Sequence, residues 1–250
     1  MNVKRHMKTK QHQIAERSAQ RVGQAVLKEG YALKNVRIWF TKLNRAKYIS
    51  HLDLNRCMTR VIHRARIPIW YTEGFNPHPF ITFALPLSLG IQGKRESMDI
   101  RLVEDMDKKE LINRLNSCLP EDIRVFDVTD QVMKPKEIAY ALFEVDFTPE
   151  NIALAELTKS LNEFFEKDSI FVEKKTKSGF KTIDLKAELN KFEFKNEDGF
   201  IKLFLILPAG NTNNVNPILF INEFKKLAGN SFFYDITRLN LYNKNMEIFA

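Results

Sequence analysis

Only two cysteines occur in 250 residues, Cys57 and Cys118, and they form no Cys-x-x-Cys pair. That spacing excludes a disulfide framework and a thiolate zinc site, and both thiols are expected to be small buried apolar residues. No run of eighteen apolar residues exists. The densest, Phe200-Ile-Lys-Leu-Phe-Leu-Ile-Leu207, is strand-sized and broken by Lys202, so no membrane span is expected. The first thirty residues are basic at first but lack the apolar core and small-residue cleavage site of a secretory signal, which predicts a cytoplasmic protein. Walker, Gly-x-Gly-x-x-Gly, Gly-x-Ser-x-Gly and His-Glu-x-x-His sequences are missing too. Nucleotide hydrolysis and serine or zinc-peptidase chemistry are therefore not expected, and neither a cofactor nor a metal site is indicated.

What the chain does have is apolar residues at 44%, twenty of them Phe, enough for a substantial core. Its formal charge is +8. Residues 1–34 carry eight Lys/Arg against two Glu, so a basic leader holds most of the surplus and the remainder is only mildly basic. Two readings of the leader stand, nucleic-acid contact and a solvated tail, and the helical spacing of Ile14 to Leu27 adds a short docking helix.

The densest local constraint is Glu73-Gly-Phe-Asn-Pro-His-Pro79. Gly74 accepts positive φ without steric cost, while Pro77 and Pro79 fix their own φ and push Asn76 and His78 into extended geometry. Phe75 and His78 are thereby presented with little conformational freedom. A rigid crossover and a ligand-contacting loop both fit.

Tyr48-Ile-Ser-His-Leu-Asp-Leu-Asn-Arg56, followed by Tyr71-Thr-Glu-Gly-Phe-Asn-Pro-His-Pro-Phe-Ile-Thr-Phe-Ala-Leu-Pro-Leu-Ser-Leu-Gly90, resembles the radical-SAM-linked protein family, the DUF2344 domain. The similarity runs from about Val36 to Tyr242. It implies an intracellular bacterial protein associated with a radical SAM protein and with RNA metabolism, and it carries no settled activity. Radical SAM enzymes hold their cluster with three closely spaced cysteines, which this chain lacks, so it is not by itself that catalyst.

Periodicity predicts strands at Val36–Thr41, Ile67–Thr72, Met98–Glu104 and Ile123–Thr129, with helices at Ser50–Arg66 and Asp107–Cys118. The order β-α-β-β-α-β recurs in Glu137–Phe147, Pro149–Phe165, Ile170–Lys175, Phe200–Leu207, Pro217–Leu227 and Phe233–Leu241, with added strand material in Phe180–Lys195 and a turn at Asn196–Gly199. The fold class is α+β: two ferredoxin-like halves, residues 35–131 and 137–244, each with a long connection between its second and third strands.

Candidate sites follow from chemistry and placement. Arg56, Arg60 and Arg64 recur every four residues on the first helix beside His63, a stripe that is either solvated and carboxylate-paired or phosphate-contacting. Ser50 and Asp53 have capping-box spacing. His51, Asp53 and His78 are candidate acid/base groups if the histidines share a pocket, and a metal site built from the three has no spacing signal behind it. Glu173-Lys-Lys-Thr-Lys-Ser-Gly-Phe-Lys181 offers Lys174, Lys175, Lys177 and Lys181 for phosphates and Phe180 for stacking, or it is ordinary protection of a strand edge. Phe75, Asn76 and His78 complete the RNA-contacting set. The leading expectation is a non-catalytic, RNA-binding partner of a radical SAM enzyme in tRNA or rRNA modification or maturation. The alternatives are a stand-alone RNA-modifying or RNA-processing enzyme and a protein-interaction scaffold.

Overall fold

The computed structural model describes residues 33–176, 179–210, 213–229 and 231–250. The helix expected within the leader and the Lys177 site lie outside the described residues, and Lys175 enters only through its backbone pairing. The chain divides into two compact units: one takes the chain up to Phe40, Leu52–Ala84 and Ser97–Gln131, the other Thr41–His51, Leu85–Glu96 and Val132–Ala250. The architecture is mixed α+β with mostly antiparallel strand pairing. Among the described residues, no helix is long and apolar enough to cross a membrane.

The first unit is built from β1 (Lys34–Lys42) as far as Phe40, α1 (His51–Arg64) from Leu52, β2 (Ile81–Phe83), β3 (Ile91–Leu102) from Ser97, α2 (Lys108–Cys118) and β4 (Ile123–Asp130), and the remaining ends of β1, α1 and β3 belong to the second. Its strand order is β4-β1-β3, and β2 pairs antiparallel with β3, Ile81 facing Ile100 and Phe83 facing Met98. Leu54, Met58, Val61 and Ala65 form the buried stripe predicted for α1, against a core that includes Ile38, Phe40, Met98 and Ile100. Burying each of Leu54, Met58 and Val61 contributes about 1.5–3 kcal/mol, and the Ala65 methyl less. Asp107 caps α2 by accepting from the Glu110 amide at 3.0 Å.

The second unit runs β5 (Tyr140–Pro149), α3 (Leu154–Glu166), β6 (Phe171–Thr176), β7 (Gly179–Asp184), the single turn α4 (Leu185–Glu188), β8 (Lys191–Glu197), β9 (Phe200–Pro208), α5 (Ile218–Ala228) and β10 (Phe232–Tyr242). The order β10-β5-β9-β8 is antiparallel throughout, and Ile91–Gly93 of β3 add a parallel pairing to Ile236–Arg238 of β10. Period-2 alternation puts Ile201, Leu203, Leu205 and Leu207 of β9 on the buried face. There Phe147, Phe164, Phe224 and Phe232 pack edge-on or tilted, with ring centroids 5.2–5.6 Å apart.

Several elements differ from the periodicity reading. Residues 67–72 form no continuous strand. Pro68, Pro77 and Pro79 interrupt the ladder, leaving isolated bridges at Ile69–Leu102 and Tyr71–Pro79, and the second strand is Ile81–Phe83. β3 starts at Ile91, because the polar run Gln92–Glu96 is paired with β10 at one end and neutralised by Arg238 at the other. Residues 171–176 are a strand, yet they pair with β7 in a separate two-stranded sheet, and β8 takes the place beside β9. In both units the long connection therefore precedes the second strand of the main sheet, whereas β8 and β9 meet in a tight hairpin around Gly199. Cys57 and Cys118 are half-buried, against the expectation of full burial.

Candidate functional site

Within the first unit, residues 69–81 fold into a projecting loop with a stiffened root. The Trp70 amide donates to the Arg101 carbonyl at 2.7 Å, and the Phe80 amide to the Trp70 carbonyl at 3.0 Å. The Arg101 guanidinium lies over both rings, 4.8 Å from the Trp70 centroid and 4.7 Å from that of Phe80. At the tip, the Thr72 amide donates to the His78 carbonyl at 2.9 Å, and the His78 amide donates to Thr72 Oγ1 at 3.2 Å. His78 Nδ1 is 3.1 Å from both Thr72 Oγ1 and the Asn76 carbonyl. This latch, with Gly74 at φ 123°, holds Phe75, Asn76 and His78 in solvent, and the Phe75 ring is fully exposed.

The root touches α1 through Tyr71 Oη, 2.9 Å from His63 Nε2. Along α1, Arg56 pairs with Asp53 at 3.0 Å in solvent, and Arg64 donates to the Cys118 carbonyl at the end of α2 at 2.7 Å. Arg60 is exposed and makes no ion pair among the described residues. Asp53, tied to Arg56 and open to water, lacks the low-dielectric setting that makes a carboxyl a useful general acid. Burial pushes the Cys57 thiol up, which disfavours a thiolate nucleophile.

In the second unit, the β6–β7 ribbon places Lys174 opposite Lys181. Alternation puts these two on one face and Phe171, Thr182 and Phe180 on the other. Lys174 Nζ is occupied by the Asn214 carbonyl at 2.6 Å. Phe180 and Phe171 are exposed at 72% and 64%, on the face opposite Lys174 and Lys181. Elsewhere in this unit a cleft of about 720 Å³ is lined by Lys136, Tyr140, Asn190, Asn213 and Lys244 among others.

The periodicity reading missed a buried charge cluster, also in the second unit. Glu96 and Arg238, 4% exposed each, form a two-point pair, Nε to Oε1 at 2.9 Å and Nη2 to Oε2 at 2.5 Å. Arg238 Nη2 also donates to the Leu85 carbonyl at 2.8 Å, fixing the 85–90 loop. Gly93 makes room for the carboxylate, since a Cβ there would meet Glu96 Oε1 at 2.5 Å. Lys42, 1% exposed, belongs to the same cluster, and its sole hydrogen bond among the described residues is a 3.4 Å contact to the Lys47 carbonyl. Burial pushes the Lys42 ammonium pKa down, with Glu96 opposing and Arg238 reinforcing. His51 is half-buried, and burial followed by the Lys42 charge lowers its pKa below 6.5. One signal was available: Val36, Ile38, Phe40 and Lys42 share a parity, so period-2 logic carries Lys42 to the buried side. Nothing local pairs Glu96 with Arg238, 142 residues away.

Among the described residues, no group of three His, Cys, Asp or Glu side chains is close enough to hold a metal ion.

These features define an α+β protein with a preformed aromatic-tipped loop in one unit and a buried charge cluster in the other. The family described as "Uncharacterized protein conserved in bacteria (DUF2344)" matches residues 35–217, and the chain belongs to it. No curated protein matches. Among solved structures, a chain of a Cbf5–Nop10–Gar1 complex is similar at 8% identity and TM-score 0.42, with 81% of this chain and 48% of that one covered. An unknown protein from Galdieria sulphuraria is similar at 11% identity and TM-score 0.25, covering 83% and 99%. This chain thus spans about half the length of the first of these.

Proposed function

We propose that this protein binds RNA in the bacterial cytoplasm as the accessory partner of a radical SAM enzyme, presenting RNA for modification or maturation, and that each unit is ferredoxin-like. The supporting observation is Phe75, wholly exposed on a loop whose conformation is set by the Thr72–His78 latch. An aromatic ring held in solvent by its own backbone offers a stacking surface at little entropic cost. Arg60, exposed on α1, adds a cation in the same unit, and the Tyr71–His63 contact ties the loop root to that helix.

Filter binding of structured RNA at 50 and 200 mM salt tests this. Phe75→Ala should weaken binding by about 1–3 kcal/mol with the salt slope and melting temperature unchanged, and Arg60→Gln should lower the slope by about one. Undetectable or salt-independent binding removes the RNA part. Purification of the radical SAM partner with this chain tests the other part, and a complex free of nucleic acid would favour a scaffold.

A further inference from the structure

Four segments of the second unit meet at one end of its sheet, where β5 and β8 begin and β9 and β10 end. There Tyr140 pairs with Tyr242 on one side and with Pro208 on the other. The cleft of about 720 Å³ opens at this end, with a volume in the range of small-molecule sites. Two cations converge on it. Lys136, from the turn before β5, and Lys244, just past β10, both line the cleft, and neither ammonium has an ion-pair or hydrogen-bond partner among the described residues. Other lysines of this unit, such as Lys47, Lys195, Lys202 and Lys226, sit against carboxylates.

The rest of the lining matches the parts of one nucleotide. Tyr140 brings an aromatic ring, and Ile138, Leu189 and Pro208 bring apolar surface, a wall on which any base stacks. Asn190 and Asn213 carry amides that both donate and accept, the chemistry that reads a base edge. Glu188, the carboxylate of the lining, accepts from Asn213 Nδ2 at 2.8 Å and keeps acceptor capacity for sugar hydroxyls. A bare anion would be repelled by Glu188 and gain nothing from Tyr140. An apolar ligand would gain nothing from the lysines. We propose that this cleft binds a nucleoside 5′-monophosphate unit, with its phosphate against Lys136 and Lys244 and its base on Tyr140. The unit comes as a free nucleotide or as the phosphorylated 5′ end of an RNA, which present the same groups. The site shares no residue with the Phe75 loop and stands without the RNA reading.

Isothermal titration calorimetry of the full chain tests the proposal, with the four ribonucleoside 5′-monophosphates, inorganic phosphate and a 5′-phosphorylated single-stranded RNA tetranucleotide as ligands. At least one monophosphate should bind at one site per chain, about tenfold or more tighter than inorganic phosphate. Lys136→Gln and Lys244→Gln should each weaken that binding about tenfold with the melting temperature unchanged. Tyr140→Leu should also weaken it about tenfold and leave inorganic phosphate unaffected. Phe75→Ala should bind the monophosphate as wild type does, so a failure here and a failure of the loop reading are told apart. A tetranucleotide bound at least as tightly as the monophosphate assigns the site to an RNA 5′ end, and weaker binding assigns it to free nucleotides. Should Tyr140→Leu fail to fold, the two lysine variants decide. Undetectable binding of every monophosphate, inorganic phosphate bound as tightly as all of them, or affinity unchanged in the lysine variants or in a folded Tyr140→Leu overturns the proposal.

Discussion

Among the described residues each unit buries one arginine–carboxylate pair, and the two differ in what surrounds them. In the first, Arg37 meets Asp99 through Nε at 2.7 Å and Nη2 at 2.9 Å, and Gln131 Nε2 gives the same carboxylate a third bond at 2.6 Å. Charge is balanced there, and the added donor is neutral. In the second, Glu96 faces Arg238 and has Lys42, a full cation, as its further neighbour. A balanced pair with its lone pairs occupied is a packing solution. A pair with an additional buried cation beside it carries a desolvation cost that the balanced pair does not.

The largest expected effect breaks the comparison at its carboxylates. Asp99→Asn leaves one buried guanidinium unneutralised and should cost about 3–5 kcal/mol in urea unfolding. Glu96→Gln strands Arg238 and Lys42 together and should cost at least as much. Adding Lys42→Met to Glu96→Gln should restore part of the loss, while adding it to Asp99→Asn should be additive. If Glu96→Gln proved the milder change and both doubles were additive, Lys42 would not feel Glu96 and the contrast would dissolve.

Gly93 sharpens the same contrast at smaller cost. Its missing Cβ leaves space for a carboxylate pinned by Arg238, so Gly93→Ala must displace Glu96 rather than merely nudge a free side chain. A loss of about 1–3 kcal/mol is expected, and it should shrink when Glu96 is already Gln. A Gly93→Ala protein as stable as wild type would mean the cluster tolerates rearrangement.

How much of this was legible beforehand depends on how local each signal was. The stripe Leu54, Met58, Val61 and Ala65 and the alternation of β9 are periodic within one element, and the structure has them where periodicity puts them. The turn chemistry of Gly74, Pro77 and Pro79 likewise marked a constrained loop, and the Thr72–His78 latch is its physical form. The start of β3 was hidden because Gln92, Lys94 and Glu96 read as solvent-facing until β10 and Arg238 are beside them. The strand at 171–176 was found, but its partner could not be chosen from sequence, since β7 and β9 were both available. Long-range neutralisation and strand choice are tertiary decisions, and no local pattern encodes them.

The Lys42 charge also reaches His51, and pH reads that out. Burial and Lys42 lower its folded pKa below 6.5, so the unfolded chain takes up a proton first as pH falls. The stability difference is present above 6.5 and is lost as pH drops through the window beneath it. Melting between pH 7.5 and 5 should fall more steeply for wild type than for His51→Gln, with a contribution below about 1 kcal/mol because the ring is partly solvated. Lys42→Met should make the wild-type slope shallower. An unchanged slope in both variants would disconnect His51 from the cluster.

The smallest effect comes from a group that is poorly paired without being deeply buried. Asp146 on β5 has Lys202 Nζ 3.4 Å from Oδ1, without hydrogen-bond alignment, while Lys202 sits closer to Glu144, at 3.1 Å. Burial raises the Asp146 pKa above 3.8, with Lys202 opposing and Glu144 adding to the rise. The folded protein therefore holds its proton to higher pH than the unfolded chain does. Stability falls as pH climbs through the window above 3.8, and at neutral pH the ionised carboxylate is a net cost. Asp146→Asn should raise the urea midpoint slightly at pH 7, by less than about 1 kcal/mol, and abolish that slope, with Glu144 keeping Lys202 in place. A lower midpoint would show that the long Lys202 contact outweighs desolvation, and that even an imperfectly aligned pair on this strand contributes as the Arg37–Asp99 pair does.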